Sequence, residues 1–158
     1  MVASTWLARA ASWAPPRRGL SFPGMDREPD VNLLGGALEV CGTDPMTGFY
    51  RDGCCGTGPD DTGSHTVCAV VTAEFLDQQR RVGNDLVTPR PEYRFAGLKP
   101  GDRWCVCAAR WQQAYDEGCA TPVVLAATHR AATRVVAEDV LRAHAVDVPG
   151  DASQLLDP

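Results

Sequence analysis

The sequence predicts an α+β domain, a small mixed sheet covered by about three helices with a long cysteine- and glycine-rich loop at one edge. Three observations carry this expectation. A run of β-branched and small apolar residues at 65–71 (HTVCAVV) has the length of a buried strand and passes directly into a segment headed by a capping threonine. Residues 41–68 hold four of the seven cysteines with six glycines and two prolines, a composition that resists helix and marks a folded loop. With 158 residues and 44% apolar content, the chain can bury one core of ordinary size without disulfide staples.

Residues 1–24 carry three arginines and no acid, and are rich in alanine, serine and proline. They read as a non-globular extension. The apolar centre is too short for a secretory signal, an organellar transit segment would look similar, and translation starting at Met25 is the preferred alternative. The globular domain is expected over 25–146, with a disordered tail over 147–158.

Within the domain, residues 31–40 (VNLLGGALEV) suggest two strand fragments around Gly35 and Gly36. After the strand at 65–71, Thr72 can cap a helix over 73–82 whose first turn carries Glu74 and whose stop is Gly83. Three prolines and two glycines make 84–101 an extended crossing segment. Asp102 is placed to cap a second helix over 103–117, on which Trp104 and Trp111 recur seven apart. A strand there would instead put Cys105 and Cys107 on one face. Residues 122–127 (PVVLAA) suggest another strand and 134–136 a short further one, and 137–145 reads as a closing helix.

Charge and hydropathy bound the partners. Fifteen basic against 20 acidic residues give a net charge of −5, which argues against a nucleic-acid partner. No run approaches the roughly 20 apolar residues of a membrane helix, so no membrane partner is expected, and a small-molecule or protein partner is left unspecified. Seven cysteines cannot all pair within one chain, and without a convincing signal peptide the expectation is a cytoplasmic protein with reduced thiols. The phosphate-loop and dinucleotide glycine spacings are absent.

Several strings are specific enough to place the chain: NLLGG at 32–36, TDPMTGFYRDGCC at 43–55, GSHTVCAV at 63–70, GNDL at 83–86 and GLKPGDRWCVCAARW at 97–111. Through them it resembles the domain-of-unknown-function family 2237 over residues 31–146. The resemblance implies no particular activity, and it does not extend to Cys119.

Two chemistries remain open. A metal site, zinc being the natural ion, could draw on Cys41, Cys54, Cys55, His65 and Cys68, with Cys105 and Cys107 in reserve. Only the His65-x-x-Cys68 spacing resembles a ligand pair. A thiol-dependent enzyme or redox protein could use Cys105 near a helix start, or Cys54 or Cys55 with His65 folded back and Asp60, Asp61 or Asp85 orienting the imidazole. The catalytic candidates are therefore Cys105, Cys55 and His65. Against both stands a protein with no catalytic centre, in which Cys68, Cys107 and Cys119 are small buried hydrophobes amid valine, alanine and tryptophan. The aspartates at 44, 52, 60 and 61 fit turns rather than a calcium loop, and Trp104 and Trp111 fit a core.

Overall fold

A computed structural model describes residues 29–147. The expected extension over 1–24 lies outside these residues, as does all of the expected tail except Asp147. Strand β1, Val67–Val70, runs antiparallel to β2, Arg103–Val106, with Val67 opposite Val106, Cys68 opposite Cys105, Ala69 opposite Trp104 and Val70 opposite Arg103. Val123 extends the sheet by single bridges, antiparallel to Ala69 and parallel to Ala145. With three α-helices, α1 (Ala73–Arg81), α2 (Ala108–Asp116) and α3 (Glu138–Ala143), the architecture is the small α+β fold the sequence predicts.

The alternation of strand side chains decides what each face of this ribbon buries. Val67, Ala69, Val71 and Val106 point into the main core, where they meet Phe75 and Leu76 of α1, Ala108, Trp111 and Ala114 of α2, and Leu141 of α3. Trp111 is wholly buried, and its indole N–H donates to Thr121 Oγ1 at 3.1 Å, so the largest core side chain leaves no polar atom unsatisfied. Cys68 and Cys105 point the other way, into a second cluster with Cys41, Cys55, Val124 and Ala127. Residues 41–66, which form no helix or extended strand, supply the first two of these partners.

Helix α1 forms as its sequence dictates. Thr72 Oγ1 accepts from the Phe75 amide at 3.1 Å, and Gly83, at φ +88°, lets the chain leave the helix. The second helix differs from expectation. Residues 103–106 are strand, not the first turn of a helix, and α2 begins only after Cys107, its N-cap. The reason lies in Asp102. Its carboxylate accepts from the Lys99 amide at 2.9 Å and so closes a turn that aims the next residues along β1. The seven-residue tryptophan spacing spans two elements. Downstream, the strand expected over 122–127 is reduced to the bridges of Val123 followed by a 3-10 turn at 125–127, the strand expected over 134–136 is replaced by the end of a 3-10 turn over 130–134 and a bend, and α3 is shorter than the expected 137–145. Among the described residues, no helix is long and apolar enough to cross a membrane.

Candidate functional site

The long loop ends in a tight arrangement around Asp61. Its backbone turns back through hydrogen bonds from the Asp61 amide to Gly58 O and from the Ser64 amide to Asp61 O, with Ser64 in the left-handed region at φ 50°. That turn buries the Asp61 side chain completely and directs three donors at its carboxylate. Thr57 Oγ1 and the His65 amide donate to Oδ2 at 2.9 and 2.8 Å, and His65 Nδ1 lies 2.6 Å from Oδ1. A carboxylate accepts, so Nδ1 is the donor, and in the neutral imidazole the lone pair is on Nε2. Phe49 stacks on the ring at a centroid distance of 5.9 Å and 21° between planes, fixing its plane from the other side.

The β1–β2 register carries beyond the strands. Ala108 N–H donates to Ser64 O at 2.9 Å, which ties the start of α2 to the residue before His65. Gly63 lies against both side chains that matter here. Cys107 Sγ donates to its carbonyl at 2.7 Å, and a Cβ at position 63 would stand 2.9 Å from His65 Cε1. His65 and Cys107 accordingly line one open cavity of about 190 Å³ together with Asn84, Leu86, Trp104, Val106 and Arg110. Cys107 is half-buried and free, at the N-cap of a nine-residue helix whose first-turn amides lack intrahelical acceptors. The sequence favours a buried hydrophobe at Cys107, with metal ligation in reserve. The strand ending at Val106 brings it instead to a cavity mouth.

The other cysteines are arranged differently. Cys41 pairs with Cys68 and Cys55 with Cys105 in disulfides, with Cα separations of 5.7 and 5.2 Å. The expectation of wholly reduced thiols is thereby corrected, because the loop and the ribbon bring residues 27 and 50 apart in sequence within bridging reach. All four are buried, and one ligand atom from each of Cys41, Cys55 and Cys68 falls within 4.8 Å of the others. Cys54 and His65 are not in this cluster. Bonded to each other, Cys55 and Cys105 offer no thiolate. Cys54 and Cys119 are half-buried and belong to neither disulfide.

One carboxylate shapes the cavity wall from behind. Asp85, between the lining residues Asn84 and Leu86, has its pKa lowered from 3.8 to about 2, chiefly because the Thr88 hydroxyl donates to it. The Val87 and Thr88 amides and the charge of Arg80 act in the same direction. The bond from Thr88 Oγ1 is 2.6 Å long, and the two amide bonds are 2.9 and 3.1 Å.

A family described as uncharacterised proteins conserved in bacteria, DUF2237, matches residues 31–145, which hold every residue of the cavity and the disulfide cluster. The chain belongs to this family. No curated protein matches the chain. The family's description names no activity, so the chemistry rests on the side chains themselves.

Proposed function

We propose that the protein is a thiol-dependent enzyme in which Cys107 is the nucleophile, His65 its general base, and Asp61 the group that orients the imidazole. The observation that carries this reading is a half-buried thiol at a helix start sharing a cavity with a histidine whose Nδ1 is held by a buried carboxylate. The reaction class is acyl transfer to water on a small molecule. His65 Nε2 takes the thiol proton as the sulfur forms a bond to the carbonyl carbon, and the Ala109 and Arg110 amides of the first turn of α2, the Ala108 amide being bonded to Ser64 O, offer donors to the developing oxyanion. The leaving group departs with the proton from His65, and the resulting thioester is hydrolysed by water, which restores the thiol.

Native-state alkylation with iodoacetamide, read residue by residue by peptide mass mapping, tests the activation of the thiol. Cys107 is expected to react faster than Cys54 and Cys119, and His65→Ala or Asp61→Asn to slow it by about 10²-fold. A Cys107 rate equal to that of Cys119, indifferent to His65→Ala, would sink the proposal.

A second reading rests on the sulfur cluster. With both disulfides reduced, Cys41, Cys55, Cys68 and Cys105 would offer four thiolates, the set that suits a closed structural zinc site with Zn–S bonds of about 2.3 Å. The close approach of Cys41, Cys55 and Cys68 supports it. A reducing cytoplasm is the compartment in which that form would persist. Elemental analysis of chelator-free protein, with a thiol count in denaturant, separates the forms. Near-stoichiometric zinc with seven thiols supports the metal reading; absence of metal with only three titratable thiols excludes it.

A further inference from the structure

The cavity that holds Cys107 has one permanently charged side chain in its wall, Arg110. Its guanidinium touches only neutral acceptors, Val82 O at 3.4 Å and Gln113 Oε1 at 3.3 Å, and no carboxylate among the described residues pairs with it. Both contacts are long and both use Nη1, so most of the fork's donors are uncommitted. An unpaired arginine in a chain with an excess of acids is a feature to be explained, because acidic partners are abundant. The remaining walls are Trp104, Leu86 and Val106, whose apolar surfaces lower the local dielectric and strengthen an ion pair formed inside.

We infer that Arg110 makes the Cys107 cavity selective for a small electrophile that carries its own carboxylate. This rests on Cys107 being the reactive thiol. Cys107, the N-cap, and Arg110, the third residue of α2, line the same cavity, so one small molecule can reach both side chains. A substrate bound to both has its carboxylate close to its electrophilic carbon. Arginine binds such a group through two parallel charge-assisted bonds, which fixes its direction as well as its charge.

Iodoacetate and iodoacetamide are matched probes, equal in size and leaving group and different in charge. With either, the thiol proton passes to His65 Nε2, the sulfur pair forms the S–C bond, and iodide leaves with the electrons of the C–I bond. The ratio of iodoacetate to iodoacetamide rates at Cys107, measured by peptide mass mapping of the folded chain, is the readout. Cys54 and Cys119 serve as internal references.

The ratio at Cys107 is expected to exceed that at Cys119, to fall about tenfold in Arg110→Gln, and to recover in large part in Arg110→Lys, which keeps the charge and loses the fork. A fast Cys107 whose ratio is the same in the parent and in Arg110→Gln overturns the anion selectivity and leaves the thiol chemistry standing. A Cys107 that is slow with both reagents overturns the thiol enzyme itself, and the selectivity with it. Recovery in Arg110→Lys, with a thermal transition equal to the parent's, separates charge from packing.

Discussion

Cys105 and Cys107 stand two residues apart, yet Cys105 is 2% exposed and bonded to Cys55 beneath the loop, while Cys107 ends the strand, heads α2 and lines a cavity. The difference is set by backbone direction. Cys105 lies within the ladder, where alternation commits it to the face opposite Trp104 and Val106; at Cys107 the chain has left the ladder and turned into a helix. One sulfur therefore serves to hold chain segments together, and the other remains a thiol that donates to Gly63 O and shares a cavity with His65. The teaching of the pair is that a cysteine's chemistry follows from its element and its neighbours, not from its spacing to the next cysteine.

Two substitutions should separate these roles most widely. The double change Cys55→Ala with Cys105→Ala removes a bridge that closes a 50-residue loop. It is expected to lower stability by about 4 kcal/mol in denaturant titration, a large part of the total for a domain of this size. Cys107→Ser should do the reverse, leaving the denaturation midpoint within about 0.5 kcal/mol of the parent while abolishing the fast alkylation. If Cys107→Ser destabilised the fold as much as loss of the bridge, the division of labour would be wrong.

A smaller change sharpens the cavity side. Gly63→Ala adds a methyl 2.9 Å from His65 Cε1, a clearance that forces the ring to move. Alkylation at Cys107 should slow by about tenfold with little change in melting temperature, because a misplaced base costs rate while the buried core is untouched. An unchanged rate would show that the imidazole position is irrelevant to the thiol.

The smallest expected effect is local and concerns Asp85. Its carboxyl titrates lower in the folded chain, about 2 against 3.8, so the turn it caps is fully supported above the ordinary value and loses that support as pH falls through about 2. The Val87 and Thr88 amide resonances should follow the lower midpoint, and Thr88→Val should move it back toward 3.8, since the hydroxyl is the leading cause. A midpoint at 3.8 in the parent would show that the turn does not hold the carboxylate.

Much of the fold was legible because some elements are specified locally. The strand at 67–70 and the helix after Thr72 follow from β-branched content, a cap and a glycine stop, all within 20 residues. Strand β2 was not, since Asp102 and the paired tryptophans imitate a helix start, and only pairing with β1 reveals the strand. The site was half legible. Asp61 and His65 are four apart and belong to one turn, and the need for an orienting aspartate can be read there. The placing of His65 and Cys107 on one cavity depends on the β1–β2 register across a separation of 42 positions, information that no local window contains.

The back-to-back bridges have one more effect on the ribbon they cross. A pair of four-residue strands is marginal alone, and sliding one strand by a single place would exchange the faces of every side chain. Cys68 and Cys105 sit opposite each other, each anchored to a different point of the same loop, at Cys41 and Cys55. A slipped pairing would have to drag both anchors with it. The two sulfur ties thus act as a ratchet pin on alignment, and keep in step a thiol and an imidazole that neither of them touches.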